Sequence, residues 1–340
     1  MLAYNTTFYA YYANMIASEM FLDTAQKEES IISLVKPLGY VVPGKTSARA
    51  RAKVRGWTSS ANIPSYTRFT GNNADGVLFN LYTTEVYATD NDGETTLSLV
   101  EGKILAEKIP LIIDQKTQKA FLSGLDIDIS TVRIEIYDPN PIGGIDGADP
   151  IGWTQWTRAG NIESNLTSDS QVYWLERSEL GFFVVFGGNL TNLIGADVSP
   201  NDKVRVTYLK SNGGLGNGVG NFIIQDGSGA AVDTITLSVG GTDKPDIEAI
   251  RFFAPKWFAA QDRAVTVEDC RALLAKEGFV SGSQDPYSRF NVWGGEEMTP
   301  PRYGRVFVSL DTPNTDDPTA ATTARQLLEQ KTCVSITPEF

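Results

Sequence analysis

Ala254-Pro255-Lys256-Trp257-Phe258-Ala259-Ala260-Gln261-Asp262-Arg263-Ala264-Val265-Thr266 runs straight into Val267-Glu268-Asp269, and the reading of this junction sets the last third of the chain. Thr266 and Asp269 stand at the two ends of a capping box. The Thr266 hydroxyl can take the Asp269 amide, and the carboxylates of Glu268 and Asp269 lie next to the positive end of the helix dipole. A helix is expected to start here. Val267, Cys270, Leu273, Leu274 and Glu277 follow at helical spacing, and Gly278 can adopt the left-handed conformation that closes such a helix. Upstream, the Ala254-Pro255 step is expected to be extended, because a residue before proline is pushed away from the helical region.

Downstream of this helix, Gly304-Arg305-Val306-Phe307-Val308-Ser309-Leu310 alternates as a strand. Thr319 to Lys331 is spaced as a second helix, and Val334-Ser335-Ile336-Thr337 opens another strand. Residues 246–340 therefore read as an α+β unit that stops unfinished, with a strand edge left to pair.

Upstream, from about Ala48 to Val239, short alternating segments are separated by turns. Val77 to Tyr82, Val132 to Ile136, Phe182 to Phe186 and Val204 to Tyr208 are strand candidates. Asp75-Gly76, Asp92-Gly93, Asp146-Gly147, Asn212-Gly213, Asn217-Gly218 and Asp226-Gly227 mark turns whose second residue tolerates positive φ. This predicts an antiparallel β-rich middle domain over 47–245.

Residues 4 to 36 read as one long helix within an N-terminal segment, 1–46. Asn5 is a candidate cap, Pro37 and Gly39 stop it, and about thirty residues at ~1.5 Å each give a rod of roughly 45 Å. Tyr4, Phe8, Tyr11, Met15, Ser18, Leu22, Ala25 and Ile32 form one stripe. Tyr9, Tyr12, Ile16 and Met20 form a second. Two apolar faces exceed what one packing surface covers, so Tyr4, Phe8, Tyr11, Tyr12, Met15 and Leu22 are the candidate contacts with other chains. The fold class expected is α+β, with a long N-terminal helix, an antiparallel middle and a C-terminal α+β domain.

Composition narrows the function. With 340 residues, 41% hydrophobic, the chain can bury ordinary cores. It carries 29 basic and 41 acidic residues, net -12, which argues against nonspecific nucleic-acid or anionic-membrane binding. Cys270 and Cys333 sit in unlike contexts, which points to reduced thiols made in a cytoplasm and leaves no metal site to build from them. No Lys or Arg precedes Lys27, so the start lacks the basic region of a signal peptide, and the uncharged run Ala3 to Ser18 is too polar and short for a bilayer span. Histidine is absent, which removes Ser-His-Asp and Cys-His nucleophile pairs and imidazole metal sites. No catalytic, cofactor or metal residue is assigned, and the expectation is a non-enzyme.

Several patterns are weighed against that expectation. Gly39-Tyr40-Val41-Val42-Pro43-Gly44-Lys45-Thr46 satisfies the P-loop spelling, yet it follows a helix and leads into Ala48 to Arg55, which alternates like a strand. A phosphate loop needs the reverse order. Asp138, Asn140, Asp146 and Asp149, and separately Asp90, Asp92 and Glu94, are oxygen-rich but lack the twelve-residue calcium-loop spacing. Arg49, Arg51, Lys53 and Arg55 place four cations on one strand face, either solvated or paired with an acidic neighbour or sister copy. Trp153, Trp156 and Trp174 could stack sugars with Glu135 or Glu176 as carboxylates, so a glycan-binding or glycan-cleaving β protein is the competing class. The Asn5, Asn165 and Asn189 sequons matter only in a secreted eukaryotic protein.

Taken together, the Ala-Pro, aromatic, Gln-x-Arg-Ala-Val-Thr run at 254–266 resembles a signature of baseplate wedge proteins of the J-like family of contractile-tailed bacteriophages. Further resemblances lie in Ala3 to Ala25, in the Leu38-Gly39-Tyr40 turn with Pro43 behind it, and in Phe186-Gly187 followed by Lys203 to Tyr208 and the two Asn-Gly turns. Gly188-Asn189 departs from it, since many relatives carry an acidic residue there. The resemblance spans nearly the whole chain, with both ends shorter than a full wedge protein. It implies a structural virion component that pairs with itself as a dimer or ring and with other wedge proteins around the tail hub, and that takes part in baseplate rearrangement. It further implies an N-terminal helix within a multi-chain helical assembly, and a positioning role for Ala254, Pro255, Gln261, Arg263, Thr266 and Asp269.

Overall fold

The first forty residues do not form one rod. Helix α1 (Leu2–Ser18) gives way to a turn before α2 (Glu28–Val35), so the expected helix from 4 to 36 is broken, and Asn5 lies inside α1 instead of capping it. The break is held by side chains. Ser18 Oγ donates to Met15 O at 2.7 Å and Thr24 Oγ1 to Ser18 O at 2.6 Å. The Glu19 carboxylate accepts the amides of Gln26 and Lys27 at 3.0 and 3.2 Å. Local side-chain bonds of this kind compete directly with continued helix. The gain is burial: Ala25, Ile31, Ile32 and Val35 close a core that a straight rod would leave in water.

This computed structural model describes the chain apart from residues 1, 58–61, 111, 115–116, 138–152, 160–165, 188–193, 199–202, 226–228, 261–262, 277–288, 312–324, 326–327, 330, 333–336 and 340. After α2, a single 3-10 turn ends at Gly39, whose φ of 71° is left-handed. The chain then enters β1 (Arg49–Arg55), β2 (Asn62–Ile63), β3 (Arg68–Asn72), β4 (Leu78–Tyr82), β5 (Tyr87–Ala88) and β6 (Thr95–Glu101). Next come β7 (Lys103–Ile109), β8 (Ile112–Asp114), β9 (Thr117–Ser123), β10 (Arg133–Tyr137), β11 (Trp153–Arg158), β12 (Val172–Ser178), β13 (Gly181–Phe186) and β14 (Lys203–Lys210). β15 (Gly220–Ile224) and β16 (Ala231–Val239) complete the middle of the chain.

These strands make two bodies. One sheet has the order β15-β3-β4-β6-β1-β16, and its ends meet: Ser238 N donates to Val219 O at 2.9 Å and Gly218 N to Ser238 O at 2.7 Å. The sheet is thereby rolled into a small barrel around Phe69, Leu81, Leu97, Leu99 and Phe222. Closure removes the sheet edges that would otherwise invite association. The second sheet has the order β7-β14-β10-β11-β12-β13-β9-β8 and folds around Ile134, Val206, Tyr208, Leu122, Phe182 and Val184. Pairing is antiparallel throughout these two sheets except between β11 and β12. The four strand candidates all form, within a residue or two of their expected ends. Gly76, Gly93, Gly213 and Gly218 take positive φ as their turns require. Asp146-Gly147 and Asp226-Gly227 lie outside the described residues.

The C-terminal region holds α3 (Ile247–Ala260), α4 (Val267–Lys276), β17 (Arg289–Gly294), β18 (Arg305–Asp311) and β19 (Thr337–Glu339), with β18 central and parallel to β19. Contrary to the extended approach expected at Ala254-Pro255, both residues lie within α3. An interior proline costs about 3 kcal/mol. Ile250, Ala254, Trp257 and Ala260 are buried on one face, and each large apolar side chain so covered contributes about 1.5–3 kcal/mol. Asp246 Oδ1 also accepts the Ala249 amide at 2.7 Å, so the helix is nucleated well before the proline. Most of the expected 319–331 helix, and Val334 to Ile336, lie outside the described residues, as do Glu277 and Gly278.

Candidate functional site

Helix α1 contains no charged residue, and every residue from Asn5 to Asn14 is exposed. Phe8 is 47% exposed, Tyr11 65% and Tyr12 41%, while Met15 is half-buried. The ring of Phe8 packs edge-on to Tyr12 at 4.5 Å, and Tyr11 to Tyr12 at 6.0 Å, so the aromatic groups of this helix contact one another. Tyr4 lies in α1. Leu22 does not continue this stripe. It sits in the turn and packs on the core that α2 shares with α3, so its cover comes from its own chain.

The base of α1 is fixed from far along the sequence. Arg251, on α3, donates Nε to Leu22 O at 2.8 Å and Nη2 to Ala25 O, while Glu248 holds Nη1. Those carbonyls lie in the turn after α1 and have no helical amide to meet, so the guanidinium fork supplies the missing donors. Sequence reasoning did not single out Arg251. It also passed over the outward side of α3, where Phe252, Phe253 and Phe258 are exposed and Lys256 Nζ lies 3.7 Å from the Phe252 ring centroid. The signal was partial: Phe252 falls opposite the buried set 250, 254, 257 and 260 and Phe258 to one side of it, whereas Phe253 is in phase with it and its exposure follows from the tertiary packing.

The residues after α3 place α4. Ala260 and Ala264 are buried, and Ala264 N donates to Lys331 O at 2.9 Å, tying the linker to the C-terminal segment. Arg263 N donates to Ala260 O at 2.8 Å, and Arg263 itself is exposed. Asp269 N donates to Thr266 Oγ1 at 3.1 Å, and Asp269 Oδ2 accepts Thr266 N at 2.9 Å. This is a closed capping box. Gln261 lies outside the described residues. Cys270 is buried within α4, and burial pushes its thiol up to about 11, which leaves it unreactive.

A hollow lies between α2 and the β12–β13 hairpin. It has a volume of about 550 Å³ and is walled by Tyr40, Trp174, Val185 and Ile194. Glu176 stands there, bonded to Lys36 Nζ at 2.8 Å and Lys119 Nζ at 3.2 Å. Burial alone would raise its carboxyl, but the two lysines outweigh this and hold it below the usual carboxylate range. A glycosidase acid needs the opposite shift. Glu135 is bonded to Arg205 at 2.6 Å, Trp156 is buried edge-on to Phe186, and Arg205 covers Trp153 at 4.3 Å. The three tryptophans do not form one stacking platform.

The side chains of the other described patterns are engaged within the chain. The 39–46 segment follows a helix and leads into a strand. Lys45 N donates to Leu125 O at 2.9 Å and its amine pairs with Asp243 at 3.3 Å. Asp90 closes its own turn by accepting the amides of Asp92 and Glu94. Glu94 pairs with Lys53 and Arg55, Arg55 also with Asp233, and Arg49 bonds Ser130 Oγ, so part of the basic face is answered within the chain. Asp138, Asn140, Asp146 and Asp149 lie outside the described residues. Among the described residues no group of three or more Cys, Asp or Glu is placed to hold a metal ion, and no helix is long and apolar enough to cross a membrane.

No family model matches the sequence, and no curated protein matches it. Among solved structures, the chain is similar to one in the 6-fold symmetrised cryo-EM structure of the anti-feeding prophage baseplate. Identity is 12%, over 90% of this chain and 59% of that one, with a TM-score of 0.26. It is also similar to a chain of the type VI secretion system TssK-TssF-TssG baseplate subcomplex. Identity is 7%, over 99% of this chain and 95% of that one, with a TM-score of 0.39. The chain thus spans about 59% of the length of the first of these.

Proposed function

We propose that this protein is a structural subunit of the baseplate of a contractile tail, of the wedge type, and that its work is assembly and not catalysis. The observation that carries the reading is α1: an uncharged helix on which Phe8, Tyr9, Tyr11 and Tyr12 are exposed and whose base is fixed by Arg251. Large aromatic groups exposed to water cost free energy that a partner surface would recover, and aromatic residues are enriched at the centres of interfaces. The resemblance of residues 254–266 and of the opening helix to J-like wedge proteins names the kind of partner. In this reading the protein is part of the tail baseplate of a phage particle. It meets other wedge proteins, or copies of itself in a dimer or ring, through Phe8, Tyr11, Tyr12 and Met15, and moves with the baseplate when the sheath contracts. The barrel and the eight-stranded sheet act as spacers, and α3, the linker and α4 fix the C-terminal region against α2.

Co-expression with candidate wedge and hub proteins of a contractile tail, followed by native mass spectrometry, tests this. Complexes of defined mass are expected, and they should be lost when Phe8 and Tyr11 are both replaced by Asp. The melting temperature of the isolated chain should stay unchanged, because both side chains are exposed in it. Failure to form any defined complex would overturn the functional reading. Complexes that survive the double substitution would overturn α1 as the contact.

A further inference from the structure

The barrel and the eight-stranded sheet are joined along a polar seam, and a carboxyl group that pairs with no cation among the described residues lies in it. Glu101 ends β6 and is fully buried. Asn212 Nδ2 donates to its Oε1 at 2.6 Å, while Asn212 N and Ser211 Oγ lie 3.4 Å from Oε2. Both partners belong to the segment that leaves β14 of the other sheet. Gly216 approaches so closely that a Cβ there would stand 2.7 Å from Glu101 Oε2, so the pocket is filled by backbone.

Ser211 is compatible with two proton counts. Its hydroxyl has one hydrogen and two neighbouring acceptors, Thr46 O at 3.1 Å and Glu101 Oε2 at 3.4 Å, and it already accepts the Gly213 amide at 2.9 Å. If the hydrogen goes to the nearer Thr46 carbonyl, an ionised Glu101 would face Ser211 Oγ with lone pair against lone pair. A neutral Glu101 instead donates Oε2–H to Ser211 Oγ. Every group is then satisfied: Glu101 gives to Ser211, Ser211 gives to Thr46, and Gly213 gives to Ser211; with the Ser211 hydrogen on an ionised Glu101 the groups are satisfied too, because Thr46 O also accepts Thr242 N at 3.1 Å, so complete burial without a paired cation is what separates the two forms.

The charged groups on the surrounding elements favour the neutral form. Asp128, buried in the turn after β9, accepts the amides of Ser47 and Ser130 and repels a negative Glu101. Lys210, from β14, is engaged by Asp126 at 3.5 Å. Lys45, before β1, is engaged by Asp243, and Arg49 on β1 reaches Ser130 Oγ. Lys103, beyond Gly102, is exposed. None of the described ion pairs includes Glu101. Burial raises its carboxyl above the ordinary carboxylate range, against the smaller opposing effect of the Asn212 and Ser211 bonds.

We infer that Glu101 is carried as a neutral acid and acts as a proton-held latch between the barrel and the eight-stranded sheet, closed while protonated and loosened when the proton leaves. This stands apart from the assembly role. Because the folded protein holds this proton more tightly than the unfolded chain, the latch stabilises fully at low pH, and its contribution is lost as pH rises through the raised value.

The test uses the full chain. Glu101→Gln keeps the shape of the neutral acid and cannot ionise. Its melting temperature should equal or exceed that of the parent at neutral and mildly alkaline pH, and the parent's decline over that range should flatten. Hydrogen exchange at the Thr46, Asn212 and Thr242 amides in the parent should rise with pH beyond the intrinsic dependence. Difference infrared spectra should contain a protonated-carboxyl band that the variant lacks. A variant less stable than the parent at every pH, with no such band in the parent, would overturn the inference. If the variant does not fold, the parent's own infrared band and exchange profile decide: presence of both supports the latch, and absence of either overturns it.

Discussion

Arg251 and Leu22 are 229 residues apart in sequence and joined by a hydrogen bond of 2.8 Å from guanidinium to backbone carbonyl. This contact, with its companion to Ala25 O, binds the turn after the exposed helix to α3. Hydrogen bonds to a charged donor contribute about 1.5–3 kcal/mol each, and a buried carbonyl left unpaired costs about 1–3 kcal/mol. Arg251→Met should therefore lower stability by about 2–4 kcal/mol. It should also make residues 2–24 far more sensitive to protease while the barrel stays protected. Limited proteolysis followed by mass mapping checks this, and a cleavage pattern equal to the parent's would contradict the anchoring role.

The pair Gly44 and Lys45 separates a structural turn from a nucleotide site. A Cβ on Gly44 would stand 2.5 Å from Leu125 O and 2.8 Å from Ile127 O, both backbone atoms. Gly44→Ala should cost about 1–3 kcal/mol or more, because backbone must move to admit it. Lys45→Ala removes only a partly exposed pair with Asp243 and should change stability by less than about 1 kcal/mol. Calorimetry with ATP and GTP should detect no binding by the parent. Binding that disappears in Lys45→Ala would reinstate the phosphate-loop reading.

Thr266→Ala removes the acceptor for the Asp269 amide. A lost N-cap typically costs about 1 kcal/mol, so the melting temperature should fall modestly and reversibly. Exchange should quicken at the first turn of α4 and leave the two β bodies alone. An unchanged melting curve would mean that the box seen here contributes nothing in solution.

Glu176 gives an acid-side signature. Lys36 and Lys119 hold its carboxyl low despite burial, so the folded protein releases this proton more readily than the unfolded chain. The contribution is present above the unfolded carboxylate value, about 4.3, and is lost as pH falls through the depressed folded value. Glu176→Gln should be less stable than the parent near neutrality, by about 1 kcal/mol, and should lose less on acidification. Urea titrations at several pH values compare the two slopes, and parallel curves would remove Glu176 from the acid transition.

What was legible in the sequence is what depends on neighbours in the chain. The capping box at Thr266 and Asp269, the strand alternation at 182–186 and 204–208, and the positive-φ glycines at 76, 93, 213 and 218 are short-range preferences, and they hold in the fold. So is the uncharged aromatic character of α1. Of the apolar stripes read there, Phe8, Tyr9, Tyr11, Tyr12, Ile16 and Met20 are exposed, whereas Leu22, Ala25 and Ile32 are covered by the chain itself, and the same periodicity overran the helix. Continued helix and a Glu19-capped turn both satisfy the local backbone between Ser18 and Glu28.

Tertiary structure alone decided between those two. α3, folded more than two hundred residues later, offers Ile250 and Ala254 to help bury Ile31 and Val35 and offers Arg251 to pair the freed carbonyls. The same helix overrode the local preference of Ala254-Pro255, because buried area on one face outweighed a missing amide. Closure of the barrel through Ser238 and Val219, and the meeting of Glu101 with Ser211 and Asn212, join segments that share no sequence pattern. Propensity acts along the chain and is written in it, whereas burial and the pairing of buried polar groups act through space and exist only once distant segments meet.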